Sequence, residues 1–207
     1  MPSNNSLFSR RTVIAGGAMA GAATMLPLAG PARALSSSQA SGLIQQVVDE
    51  VLKIVNSNAS QGQALASFEQ MFGRYADVGV IARSVLGPPW RSANRSQKAA
   101  FVSAFQGYLA RKYGSEFREY RGASMQITGV KDHGDKGMVV NSVVNFPGSA
   151  PVSVDWQVSD RSGSPKMFNM FIEGVSMLST ERSEIRALLE SNRNSIDGLI
   201  AALKARG

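Results

Sequence analysis

The apolar residues of this chain change period twice, and those changes restrict its fold more than any other feature. From Leu43 they fall at Leu43, Ile44, Val47, Val48, Val51, Leu52 and Val55, the spacing of a helix with one buried face. That pattern ends within 56–62. Further helices are predicted over 64–72 and after Asp77, the second stopped by Leu86-Gly87-Pro88-Pro89. Asn94 and Gln97 then form a capping box ahead of the longest helix, whose stripe of Phe101, Phe105, Tyr108, Leu109, Tyr113 and Phe117 is heavily aromatic. Beyond Gly122 the period drops to two. Met138, Val140, Val144 and Phe146 fall on one side of a strand, and Val152, Val154, Trp156 and Val158 on one side of the next, opposite Ser153, Asp155, Gln157 and Ser159. Residues 125–131 and 166–173 complete about four antiparallel strands, and helices return over 181–191 and 196–204.

An antiparallel sheet that is polar on one side and covered by helices on the other is an α+β layer. Strong curvature turns such a layer into a cone. Periodicity says that the covered face is apolar; it leaves open whether helices fill the space against it or leave a hollow. A chain of 207 residues with 43% apolar content is long enough for one domain with a real core, and no repeat or linker divides it.

Residues 1–34 are expected to lie outside that domain as an export signal, leaving 35–207 as a single folding unit. They carry Arg10, Arg11 and Arg33 and no acid, run apolar over 13–28, and end in Ala32-Arg33-Ala34, the small-x-small pattern of a cleavage site. Paired arginines ahead of a weakly apolar stretch match a twin-arginine signal. Val13 stands where that signal usually has Phe, so general secretory export stays open. Gly16, Gly17, Gly21 and Pro27 interrupt the run, which favours cleavage over an anchor of about 20 apolar residues.

Lys and Arg total 22 against 15 Asp and Glu, and residues 74–131 alone hold ten bases and three acids. One stretch therefore makes the chain basic. Such a stretch suits an anionic surface or an acidic partner, and it is equally the ordinary solvated face of a helix. An exported chain does not meet nucleic acid, so none is expected as a partner. The absence of cysteine and the single His133 exclude disulfides, thiol nucleophiles, Cys-based metal sites and any Ser/His/Asp triad lacking His133. His133 sits in Lys131-Asp132-His133-Gly134-Asp135, a turn composition, and is assigned no role.

Tyr75-x-Asp77, Ile81-Ala82-Arg83 and Leu86-Gly87-x-x-Trp90-Arg91 occur in order. They are followed by Gln97, Phe101, Phe105, Leu109 and Tyr113 at intervals of one helical turn, then Glu173-Gly174-Val175-Ser176, Arg182, and Ile196-Asp197-Gly198-Leu199-Ile200. This ordered set covers nearly all of the chain after residue 34 and resembles the MlaC, or toluene-tolerance, family of periplasmic phospholipid-binding proteins. Pro165 and Asn169 depart from it, standing where the family usually has Trp and Asp in its last long strand.

The resemblance implies a cone-like (NTF2-like) α+β fold, a curved antiparallel sheet packed against helices with an apolar pocket. It also implies a soluble, non-enzymatic carrier in the periplasm. Such a carrier moves phospholipid between an inner-membrane ABC transporter complex and an outer-membrane lipoprotein, and so maintains outer-membrane lipid asymmetry. Phospholipid is cargo in that scheme, and no cofactor or metal is implied. The acyl chains are expected between sheet and helices, against Leu86, Phe105, Leu109, Tyr113, Val140, Val144, Val154, Trp156, Met170, Ile172 and Val175. No charge interrupts the Met138/Val140/Val144 or Val154/Trp156/Val158 faces, as hydrocarbon requires. Two tails of about fifteen carbons, at about 0.8 kcal/mol per buried methylene, would gain on the order of 20 kcal/mol gross. Delivery would then need a partner that opens the pocket.

Two other classes fit the same pattern. A cone-fold periplasmic enzyme acting on an apolar small molecule would need an acid or base inside the pocket; Tyr75, Tyr108 and Asp155 are the candidates, with Asp155 facing away. A non-lipid adaptor would present the aromatic helix face to another protein over a filled core. Gly174-Val175-Ser176 is no nucleophile elbow, because Leu178 stands where the second glycine belongs. A hollow without charge favours the carrier, an inward acid the enzyme, and a filled core the adaptor.

Overall fold

Local hydrogen bonding sets where the helices begin. In a computed structural model of the chain, which describes residues 35–115 and 120–206, α1 (Ser37–Val55) starts well ahead of its apolar stripe. Ser36 and Gln39 close a capping box there, each side chain accepting the other residue's backbone N–H. Ser60 and Gln63 do the same for α2 (Gln61–Tyr75), and Asn94 and Gln97 for α5 (Arg95–Gly114), the last as expected from the sequence. Asp77 caps α3 (Val78–Leu86), which ends at Gly87 with φ 66°. Where only a stop was expected, Pro89–Ser92 forms one further turn, α4; a proline at the first helical position gives up an N–H that has no partner there anyway. The expected export signal and Phe117 lie outside the described residues.

Five strands follow: β1 (Ser124–Asp132), β2 (Met138–Asn145), β3 (Val152–Ser159), β4 (Lys166–Ile172) and β5 (Val175–Ser176). They form one antiparallel sheet in chain order, so the expected meander is present with one strand more than the four read from the sequence. The extra strand exists because Glu173 and Gly174, at φ 49° and 78°, make a two-residue turn whose positive dihedrals match the twist of a hairpin. Val175 and Ser176 thereby pair back onto Ile172 and Phe171. Two residues are too few to show alternation. Ser176 also caps α6 (Met177–Ser191), which consequently begins before the expected position 181; α7 (Ile196–Ala205) closes the chain.

Register carries the inward residues across the sheet in rows. Val130, Val140, Trp156 and Met170 form one row through four strands, and Ile127, Ser142, Val154 and Ile172 form another. Register shifts beside Thr128 and Phe168 are bulges, which bend their strands and make the sheet curve. Ser142 is the buried polar member of its row; its hydroxyl donates to the Val154 carbonyl at 2.7 Å and accepts the Trp156 indole N–H at 2.9 Å. It therefore both donates and accepts locally. The departure at Asn169 is also accommodated, because its side-chain oxygen accepts the Leu178 N–H at the start of α6 while its nitrogen donates to Gln157 and Ser176.

Helices cover the inward face. α5 packs against α2, α3 and α7, and its Phe101 and Phe105 are wholly buried, their rings stacked 5.8 Å apart. α1 lies over β1, β2 and β3, while α3 and α6 lie over β4. Among the described residues no helix is long and apolar enough to cross a membrane.

The turn between β1 and β2 ends at Gly137, with φ 85°, where a Cβ would overlap the backbone carbonyl of Val158. Gly137→Ala is therefore expected to lower stability by about 3 kcal/mol or more, read as a lower urea midpoint. An unchanged midpoint would show that β2 and β3 can separate there at little cost.

Candidate ligand cavity

A hollow of about 460 Å³ lies between the sheet and the helices, within the size range of small-molecule pockets. The sheet supplies Val144, Val152, Val154, Trp156, Met170 and Ile172 to its wall. The stripe of α1 supplies Val47, Val48, Val51 and Leu52, and α2 supplies Phe68, Met71 and Phe72. α5 enters through Leu109 and Tyr113, and α6 through Met177, Leu178 and Glu181. The wall is thus hydrocarbon and aromatic nearly throughout. Its polar side chains are mostly engaged within the protein, Trp156 with Ser142, and Asn169 with Gln157, Ser176 and the start of α6.

Seven of the residues expected at a lipid pocket are on this wall: Leu109, Tyr113, Val144, Val154, Trp156, Met170 and Ile172. Four are elsewhere. Leu86, Phe105 and Val140 are buried in the closed core, and Val175 on β5 is 58% exposed. One helical stripe therefore serves two purposes. Phe101 and Phe105 fill core, and one turn further on Leu109 and Tyr113 face the hollow. The α1 residues were legible as a buried face and α2 only as a helix, without any signal of what either faces. Glu181 was not anticipated at all.

Glu181 is the buried end of a charged cluster joining α5 to α6. Its Oε1 accepts from Lys112 Nζ at 2.8 Å and from the Tyr113 hydroxyl at 2.5 Å. Lys112 also donates to Glu184 Oε2 at 2.7 Å, and the same oxygen accepts from the Tyr108 hydroxyl at 2.7 Å. The ammonium lies 5.6 Å and 5.4 Å from the ring centres of Tyr108 and Tyr113, where the ring faces attract it further. Among the described residues, no donor meets Glu181 Oε2.

Titration behaviour follows from these contacts. Burial, with the bond to Glu184, pushes the Tyr108 phenol up to about 12. Burial and the bond to Glu181 likewise raise Tyr113 well above the usual phenol range. For Lys112 burial alone would lower the value, but its bonds to Glu181 and Glu184 outweigh that and raise it. For Glu184 burial alone would raise the value, and the bonds from Lys112 and Tyr108 hold it below.

Of the three candidates for an acid or base, Tyr108 is tied to Glu184 outside the wall, and Asp155 accepts from Asn141 on the opposite side of the sheet. Tyr75 lies at the end of α2 beside the Arg74 guanidinium. None lines the hollow; the inward acid is Glu181. Among the described residues no group of His, Cys, Asp and Glu is placed to hold a metal ion.

Because the folded state holds the Glu184 carboxyl below its ordinary 4.5, it binds fewer protons than the unfolded chain as acid is added. The stability this contributes is present above that ordinary value and is lost as pH falls through the folded one. The melting temperature of wild type should therefore exceed that of Glu184→Gln at neutral pH, with the gap closing in acid. The gap should be modest, since the side chain is 41% exposed. A gap independent of pH would remove this ionic role for Glu184.

Comparison with known proteins agrees with this architecture. A phospholipid-binding protein from Ralstonia solanacearum, solved in complex with a phospholipid, superposes with a TM-score of 0.68 at 23% identity, covering 80% of this chain and 94% of that one. The intermembrane phospholipid transport system binding protein MlaC of Haemophilus influenzae is 26% identical over 172 residues, 78% of this chain and 79% of that one. The family described as MlaC protein matches residues 45–205, from the middle of α1 to the end of α7. The chain belongs to the MlaC family.

Proposed function

We propose that this chain is a soluble phospholipid carrier of the periplasm, exported by residues 1–34 and folded over 35–207. The observation that carries the reading is the apolar hollow of about 460 Å³ between a curved sheet and helices. A phospholipid transport protein from Haemophilus influenzae and a phospholipid-bound protein from Ralstonia solanacearum as relatives support the same cargo. Acyl chains would lie against Leu109, Tyr113, Val144, Val154, Trp156, Met170 and Ile172, with the headgroup towards water. The hydrophobic effect then supplies most of the affinity, at about 0.8 kcal/mol for each methylene withdrawn from water. Tight holding of this kind makes spontaneous release slow, so exchange would take place on partners that open the pocket. An inner-membrane ABC transporter complex and an outer-membrane lipoprotein are the partners this scheme requires. The exposed Arg83, Arg91 and Arg95 offer them, or an anionic membrane, positive charge.

The inward Glu181 is the one observation favouring an enzyme. Hydrolysis would need a nucleophile and a free acid or base together. Glu181 Oε1 is instead committed to Lys112 and Tyr113, and the residues lining the hollow include neither histidine nor cysteine. Binding without chemistry is the reading these groups favour.

Protein isolated from cells should carry phospholipid, seen by mass spectrometry under non-denaturing conditions. Val154 is 7% exposed, stands on the wall and pairs with Ser142 and Ile172 on neighbouring strands. A carboxylate there meets water in an open hollow but meets hydrocarbon when tails are present, which is expensive. Val154→Glu should therefore remain folded, with a cooperative melt, and copurify with about tenfold less phospholipid or lower. Full occupancy in the folded variant would place the tails elsewhere, and well-folded wild type free of lipid would sink the carrier reading.

A further inference from the structure

The two ends of the sheet differ in charge. At one end the β1–β2 and β3–β4 turns, with the residues that flank them, hold Asp132, Asp135, Lys136, Asp160, Arg161 and Lys166. The core is closed there, since Met138 and Val158 pair across the strands and are buried. At the other end the β2–β3 turn, Phe146-Pro147-Gly148-Ser149-Ala150-Pro151, carries no charge, and all of it after Phe146 is exposed. The hollow runs out to this second end. Its wall includes Ser124, Phe146, Val152 and Ile172, which stand at or next to the ends of their strands, and none of the four is buried.

The side chains around that end say what it meets. Val175 pairs with Ile172 and is one of two large apolar residues that stand exposed among the described residues. Tyr120 and Phe146, both in the wall, bring their rings within 5.4 Å of each other. Arg121 follows, exposed, and its guanidinium donates two of its five N–H groups to the Val55 and Ser57 carbonyls, each at 3.3 Å. Glu173, in the β4–β5 turn, has its carboxylate on the Ser153 N–H. An uncharged turn, an amphipathic aromatic ring and an arginine side by side match the layers of a bilayer surface. Apolar side chains enter the acyl boundary, tyrosine sits at headgroup level, and the positive guanidinium meets the negative phosphate.

We propose that this end of the sheet seats on a phospholipid bilayer, with the β2–β3 turn and Val175 entering the headgroup boundary, so that an acyl chain passes between bilayer and hollow without crossing water. The inference rests on the carrier reading above and adds a lipid surface as a direct partner. The charged turns at the far end stay in water.

Because the chain has no cysteine, one introduced thiol takes a probe to a chosen place. Ser149→Cys puts an environment-sensitive nitrobenzoxadiazole label on the uncharged turn, and Ser162→Cys puts it on the charged β3–β4 turn; both positions are exposed. Protein is isolated from the expressing cells as they process it and mixed with vesicles of phosphatidylethanolamine and phosphatidylglycerol. An ionic strength of about 0.15 M screens distant surface charges. The label at 149 should shift to the blue and brighten about twofold or more, while the label at 162 keeps its emission in buffer. No change at 149, or an equal change at both positions, overturns the inference. A change at 149 that needs no vesicles and grows with protein concentration assigns this end to a second copy, and also overturns it. Ala150→Asp combined with Val175→Asp, at exposed positions outside the wall, should weaken vesicle binding about tenfold while the phospholipid content stays that of wild type. Undiminished binding by the folded double variant overturns the assignment, and the two labels decide the matter if that variant fails to fold. Protein that carries phospholipid yet ignores vesicles overturns this inference and leaves the carrier reading standing. Well-folded wild type that neither carries phospholipid nor takes any from the vesicles overturns the carrier reading, and this inference with it.

Discussion

Cross-strand register is the constraint on which the remaining structure depends. Val130, Val140, Trp156 and Met170 share a row because four strands align without a slip at that level, and a shift by one residue would turn every one of them to the polar side. Alignment is pinned where Ser142 bonds the Val154 carbonyl and receives the Trp156 indole N–H. A hydroxyl inside an apolar row is unfavourable unless both its donor and acceptor are used, and here both are. The same contact fixes the ring of Trp156, which borders the hollow and packs both on the main core and on a smaller cluster of Val47, Ile54 and Met71.

Against that sheet, the helices divide the space unequally. At one end Phe101, Phe105 and Val140 close the core with no exposure at all. Along the same helix and the same strand, Leu109, Tyr113 and Val144 border open volume. The transition takes one turn of α5. Two polar clusters lie at the open end: Asn169 joins β4 to β3, β5 and α6, and the Lys112–Glu181–Glu184 cluster joins α5 to α6.

The sheet's alternation, the helical stripes and the Asn94–Gln97 cap were legible because each is a local pattern with a fixed period. β5 was not, since it consists of two residues made possible by the dihedrals of Glu173 and Gly174. Nor was the boundary between core and hollow. Phe105 and Leu109 are equivalent in spacing, and only the distance to the opposite wall separates them. Glu181 stands in Thr180-Glu181-Arg182-Ser183-Glu184, which by composition is an ordinary solvated helix face. Its burial depends on Lys112 and Tyr113, far away in the chain, and no spacing within α6 reveals that.

A hollow of about 460 Å³ also bears on what is meant by the stability of this fold. Atoms lining empty space forgo the dispersion contacts that a filled interior gives them, so the vacant protein is the less stable of two folded forms. Whatever occupies the space binds the native chain and not the unfolded one, and raises the free energy of unfolding by about 2.7 kcal/mol when present at a hundred times its dissociation constant. Occupancy and melting temperature are in that sense a single thermodynamic variable, and preparations that differ in content will differ in apparent stability although their sequence is the same.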